Sequence, residues 1–278
     1  MAEAVAAGSA PTGAKPRGRR LRVFMETRRK DNWWVPQAVT FVVFSSFIVY
    51  ATWAAFQGEY YTYGSYLSPF YAPELFGSSP HAWFGPPPEW IPSWIPFTPA
   101  LLILPFPGGF RFTCYYYRGA YYKAFWQDPP SCAVGESRGT SFWGESSLPL
   151  ILQNVHRYFM YAAVVFIFLL SYDVWLAMWW EGADGHEHFG MGIGTIIMFV
   201  NVCLLAGYTF GCHSLRHLIG GGKDSLPKGG VGAACYDSCS KLNSKHQLFA
   251  WCSLFSVALT DVYIRLCSMG VLTDIRLF

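Results

Sequence analysis

Residues 33–56 read WWVPQAVTFVVFSSFIVYATWAAF, a run without a single Asp, Glu, Lys or Arg. A helix crossing the hydrocarbon core of a bilayer needs ~20 mostly apolar residues, and this stretch supplies them. The rest of the chain agrees. Of its 278 residues only 13% are charged and 53% are hydrophobic, whereas a soluble domain carries about 25% charged residues. The aromatic share of 19% suits a protein that sets Trp and Tyr in two interfacial belts. A net charge of +3 is too small to argue for nucleic acid. Eight cysteines in a chain of this length do not make a small disulfide scaffold. The first twenty residues lack an apolar core, so no cleavable signal peptide is expected. Residues 1–32 read instead as a disordered basic cytoplasmic arm.

Three more runs are long and apolar enough to cross: Leu150–Trp180, Phe189–Leu218 and His246–Met269. A fifth stretch, Phe97–Trp126, is interrupted by Pro99, Pro105, Pro107, Gly108 and Gly109 and reads as helical from Phe110 onward. Basic residues orient these runs. Eight Lys and Arg lie in the amino-terminal arm, five between Arg111 and Arg157, and five between Arg216 and Lys245. Residues 57–97 and 181–190 hold none. By the positive-inside rule the first three segments are cytoplasmic and the last two external. The chain must then return inward between Phe97 and Arg111. Lipid cannot satisfy the N–H and C=O groups of a proline-broken segment, so this second pass belongs inside the bundle. The expectation is an all-α integral membrane protein of about five transmembrane passes, the second broken by Pro and Gly. Residues 33–278 form one bundle with an external aromatic-rich loop (57–97) and cytoplasmic loops (111–149 and 219–245). The amino terminus is cytoplasmic and the carboxyl terminus external. No internal repeat and no second domain is evident.

Ionisable groups at membrane depth are functional candidates. His156, His213, His217 and His246 all fall at the cytoplasmic ends of passes, and Cys114 and Cys132 flank the same end of the second pass. His213 and His217, four apart, share one helix face and can address one metal or one ligand. Cys203, Cys252 and Cys267 lie within apolar runs and read as small core residues. Cys235 and Cys239 form half a zinc site at most. Asp261 and Arg265, also four apart, suit a structural ion pair. His186-Glu187-His188 lacks zinc-helix spacing and reads as a solvated loop. Two metal chemistries fit the set. One haem b could bridge His156 and either His213 or His217. Alternatively, Cys114, Cys132, His213 and His217 offer the two-thiolate, two-imidazole complement of a Rieske-type [2Fe–2S] centre. A quinone slot needs apolar walls with a few polar contacts, for which Tyr117, Arg118, Trp126 and His246 are candidates.

Four stretches carry a family resemblance: TCYYYRGAYY (113–122), PPSC (129–132), LQNVHRY (152–158) and CHSLRH (212–217). With the final helix they make the chain, over about residues 30–278, resemble the membrane subunit of type F succinate dehydrogenase, a respiratory complex II. The resemblance implies a membrane anchor for a flavoprotein and an iron–sulfur subunit in the cytoplasmic membrane. It also implies electron transfer to a quinone through a Rieske-type cluster, with catalysis only in the complex. On that basis the ligands are Cys114 and Cys132 with His213 and His217, and His156 in reserve. The local C-x-H…C-x-x-H pattern of soluble Rieske proteins is missing, which leaves the histidine pair open. A one-haem, quinone-reactive cytochrome b anchor of another dehydrogenase is the alternative.

Overall fold

The computed structural model describes residues 23–89, 91–92, 97–136, 148, 150–182, 184–221 and 229–278. Among them, four helices are long and apolar enough to cross a membrane. These are α1 (Val35–Gln57), α5 (His156–Leu176, entered through a 3-10 turn at Leu150–Val155), α6 (Ile193–Phe210) and α9 (His246–Ser268). Val42 and Val49 on α1, Phe168 on α5 and Leu259 on α9 are each at least 60% exposed within the protein. Such helices are apolar all round because lipid, not water, covers their outer faces.

The proline-rich segment crosses most of the bundle. Pro99 opens α2 (Pro99–Ile103) and Pro105 opens α3 (Pro105–Phe112), positions where a proline's missing N–H leaves no bond unmade. Helical Leu104 joins the two, its N–H bonding to the Ala100 carbonyl and its own carbonyl accepting from Gly108. After a break at Thr113-Cys114 come α4 (Tyr115–Tyr121) and a π-helical turn at Tyr122–Trp126. At one end the Thr98 hydroxyl donates to the Ala55 carbonyl at 2.5 Å. At the other, the Phe125 ring lies 4.9 Å from that of Phe41. The segment therefore runs antiparallel to α1 from the level of residue 55 to that of residue 41, ~21 Å at 1.5 Å per residue.

Residues 58–89 fold over the carboxyl end of α1 as an aromatic cap. A two-residue hairpin pairs β1 (Thr62–Tyr63) with β2 (Tyr66–Leu67). Tyr61 and Tyr71 stack at 4.1 Å, and the wholly buried Glu74 accepts from Tyr61 at 2.9 Å and from Ser79. The last carbonyls of α1, orphans of any helix end, are taken by Tyr71 and Arg265 at Ala54 and by Thr98 at Ala55. The expected ion pair is present. Arg265 Nε donates to Asp261 at 2.7 Å, with Tyr50 and Ser68 supplying the carboxylate's other bonds. Beyond α5, β3 (Trp179–Glu181) and β4 (Glu187–Phe189) form a second hairpin in which His188 bonds Asp184 at 2.9 Å.

Four expectations change. The fourth pass is not continuous to Leu218: α6 stops at Phe210, Gly211-Cys212 is non-helical, and α7 (His213–Gly220) follows. The second pass likewise is not continuously helical from Phe110. Segment 219–245 is not all loop, since α8 (Val231–Ser244) packs on α7 through Arg216, whose guanidinium donates to Ser240 at 3.0 Å and lies 5.0 Å from the Tyr236 ring. Finally, the end of the basic arm is held in place. Thr27 bridges to Val134, and Arg29 donates to Ser131 at 2.7 Å and to the Cys132 carbonyl at 3.0 Å. Residues 1–22 of the arm, Arg138, Lys223 and Lys228 lie outside the described residues.

Candidate metal centre and quinone cavity

Away from the cap, two helix breaks deliver two buried thiols. Cys114 and Cys212 each sit in extended backbone (φ −63°, ψ 131° and φ −66°, ψ 136°) immediately before α4 and α7. The first residues of α5 and α9, His156 and His246, reach the same layer. His156 Nε2 lies 3.2 Å from Cys212 Sγ, and His246 Nε2 lies 3.6 Å from Cys114 Sγ. Cys114 and Cys212 belong to one buried cluster with Phe110 and Tyr208, whose rings pack on each other and stack on the two imidazoles. The four groups thus form one cluster made of two Cys–His contacts. Among the described residues no three His, Cys, Asp or Glu side chains gather around a single ion position.

The arrangement is pseudo-two-fold. F-x-C-x-x-x-R occurs at 112–118 and again at 210–216. Gly109 and Gly207, each five residues before its cysteine, allow close helix approach. A Cβ on Gly109 would lie 2.4 Å from the Phe159 ring, and one on Gly207 2.5 Å from the Phe249 ring. Each phenylalanine is three residues beyond its histidine. Phe110 stacks on His156 and Tyr208 on His246, both with centroids 4.9 Å apart. Each half therefore repeats Gly, aromatic, Phe, Cys, Arg and then His and Phe on the following helix. Each half's cysteine faces the other half's histidine.

The halves differ in what surrounds the imidazoles. Thr113 gives its hydroxyl proton to the Gly109 carbonyl at 2.7 Å, so the 2.8 Å contact to His156 Nδ1 has the imidazole as donor. That fixes the proton on Nδ1 and leaves the Nε2 lone pair toward Cys212. Gly211 stands where Thr113 stands in the other half, and His246 Nδ1 is buried with no hydrogen-bond partner among the described residues.

The residues singled out from the sequence divide. Cys114, His156 and His246 meet in this layer. Cys132 is exposed, in the loop held by Arg29. His213 and His217 do share a helix face, with Nε2 atoms 3.0 Å apart, but both are exposed and α7 carries them on its outer side. Burial lowers the His213 pKa from its ordinary value, and His217 and Arg216 act in the same direction. Cys212, unassigned from sequence, is buried in this layer beside His156. Cys239 is buried against the Phe210 carbonyl while Cys235 is exposed, so they do not pair. Cys267 is a buried core residue, Cys252 is half-buried and Cys203 is exposed on the outer face of α6.

The expected quinone contacts do not share one slot. Tyr117 is wholly buried, donating to the Ala250 carbonyl at 2.7 Å and accepting from Arg111 at 2.8 Å. Arg118 stacks on Tyr115 and Tyr122, and Trp126 packs on Tyr122 at 4.9 Å. A cavity of about 300 Å³ lies instead between the Cys–His layer and the cap, with Phe47, Leu104, Phe110, Arg111, Tyr208 and Thr209 among its walls. Phe110 and Tyr208 separate it from the two imidazoles. Arg111 is the charged group in its lining. The guanidinium sits 4.8 Å from the Tyr208 centroid and donates to Ser253 at 2.9 Å.

Residues 35–270 match the family model described as actinobacterial succinate dehydrogenase subunit SdhC. A solved structure described as the Mycobacterium smegmatis Sdh1 complex in the apo form contains a chain 40% identical to this one. That match covers 94% of this chain and 97% of that chain, with a TM-score of 0.82. No curated protein matches.

Proposed function

The chain belongs to the actinobacterial succinate dehydrogenase SdhC family, and from that premise we propose that it passes electrons from the iron–sulfur subunit to a quinone through a Rieske-type [2Fe–2S] cluster held by Cys114, Cys212, His156 and His246. It is a membrane subunit of succinate dehydrogenase, associates with the other subunits and does not catalyse alone. The observation that carries the proposal is the convergence of two thiols and two imidazoles, from four separate elements, in one pseudo-two-fold layer.

The donor set fits in kind and number. A Rieske-type centre takes two cysteines and two histidines, and the layer holds two of each, met as Cys–His neighbours. Soft thiolates suit iron–sulfur chemistry. Thr113 holds the His156 tautomer whose Nε2 can ligate, a support that commonly orients metal-bound histidine. When bound, such a cluster supplies one-electron transfer at a potential of roughly −150 to +300 mV. Cys132, His213 and His217 are left out because they are exposed, whereas the proposed ligands are buried or half-buried.

The quinone ring is assigned to the cavity beside Phe110 and Tyr208, a revision of the slot expected from Tyr117, Arg118, Trp126 and His246. Its apolar walls exclude water, and Arg111 and Thr209 offer donors to a quinone oxygen. Tyr117 retains an indirect part, since its hydroxyl accepts from Arg111 and so orients it. A cytoplasmic amino terminus and an external carboxyl terminus complete the reading, supported by 18 of 20 basic residues falling in the segments assigned inside.

Iron, acid-labile sulfide and haem content of the purified complex tests the reading. Cys212→Ser should remove one [2Fe–2S] unit and abolish quinone reduction. Succinate oxidation by an artificial dye should survive, because the dye takes electrons from the soluble subunits. An unchanged iron and sulfide count, with a haem band in the wild type, overturns it.

A further inference from the structure

We propose that His213 and His217 form a second, surface metal site that takes a late first-row divalent ion of the copper or nickel class. The pseudo-two-fold relation gives these histidines no histidine counterpart in the other half. The equivalent positions there are Tyr115, which is exposed, and Gly119, beside which no atom would meet an added Cβ. Neither position contributes a ligand there. The pair is a feature of α7 alone.

Its geometry is that of a chelate. The two Nε2 atoms lie 3.0 Å apart, the rings are 78° from coplanar, and both side chains are exposed. With metal–nitrogen bonds of about 2.0–2.1 Å, that separation subtends ~95° at an ion bridging them. This is close to the right angle between adjacent ligands of a tetragonal or octahedral ion, and short of the tetrahedral angle of a structural zinc site. Water fills the remaining positions. The guanidinium of the intervening Arg216 is turned to Ser240 and Tyr236 on α8, so it does not occupy the space between the two imidazoles. No oxidation or bond-making step is involved. The site stands apart from the cluster reading, since neither histidine is among the proposed cluster ligands.

Calorimetric titration of the detergent-solubilised whole complex with Ni(II) tests it. The wild type should bind one ion that His217→Ala loses by at least tenfold in affinity, and that His213→Gln also weakens. Quinone reduction without added metal should be retained in His217→Ala, showing that the variant is folded. Equal Ni(II) binding by wild type and His217→Ala, or no stoichiometric binding by the wild-type complex, overturns the proposal.

Discussion

Gly109→Ala and Gly207→Ala should damage the complex in the same way, because the two glycines occupy equivalent places in the two halves. A methyl group on Gly109 would sit 2.4 Å from a carbon of the Phe159 ring, and one on Gly207 2.5 Å from the Phe249 ring. Carbon–carbon contacts settle at about 3.5–4.0 Å. Each substitution therefore forces a shift of ~1 Å, taken up by the Phe159 or Phe249 ring together with the helix that carries it. Overpacking of this kind costs about 1–3 kcal/mol. Ala's better helix propensity returns under about 1 kcal/mol, so the net effect is destabilising. Phe159 and Phe249 lie one turn beyond His156 and His246, so a shift that relieves the clash also moves an imidazole. The assay is thermal inactivation of quinone reduction in detergent, with dye-linked succinate oxidation measured alongside. Both variants should inactivate at lower temperature than the wild type, with the dye reaction little changed. Gly119→Ala, whose added methyl meets nothing within 4 Å, should behave as the wild type. If Gly109→Ala and Gly207→Ala both matched that control, the close helix approach would not be what builds the layer.

Asp261→Leu should destabilise the complex by about 3–5 kcal/mol, because it leaves the buried Arg265 charge without its partner; thermal unfolding reads this, and a neutral result would remove the pair from its role in fastening the cap. Thr113→Val should weaken iron retention by about 10–100-fold, since it takes the acceptor from His156 Nδ1. Thr113→Ser should restore it, and equal iron content in all three proteins would argue against the support. A cysteine placed at the exposed Ser78 should react with an impermeant thiol reagent from outside the cell; labelling only from the cytoplasmic side would invert the topology. Arg111→Leu should raise the KM for quinone at unchanged dye activity, and an unchanged KM would move the quinone out of the cavity.

The passes were legible because lipid imposes a single rule on α1, α5, α6 and α9: some twenty mostly apolar residues with at most two charges among them. The broken second pass was legible for a different reason, the distribution of Lys and Arg, which required a return between Phe97 and Arg111. The site was read less well. Grouping His213 with His217 was correct as helix geometry, but it assumed a helix continuous with the fourth pass. The break at Gly211-Cys212 rotates α7, so its histidines face out and Cys212 faces in. Nothing in hydropathy marks that break. The repeated F-x-C-x-x-x-R, with a glycine five residues before each cysteine, was present in the sequence. It gains meaning only when two distant segments are compared position by position. Cys132 was attractive for lying near the end of the second pass. Its loop is instead drawn to the amino-terminal arm by Arg29 and Thr27, a long-range pairing that local sequence does not encode.

Electron paramagnetic resonance of the reduced complex tests the central claim most directly, with wild type compared against two variants. The account predicts a Rieske-type signal in the wild type that disappears in Cys212→Ser and persists in the His213→Ala/His217→Ala double variant. A signal that survives in Cys212→Ser, or that vanishes in the double variant, would contradict it.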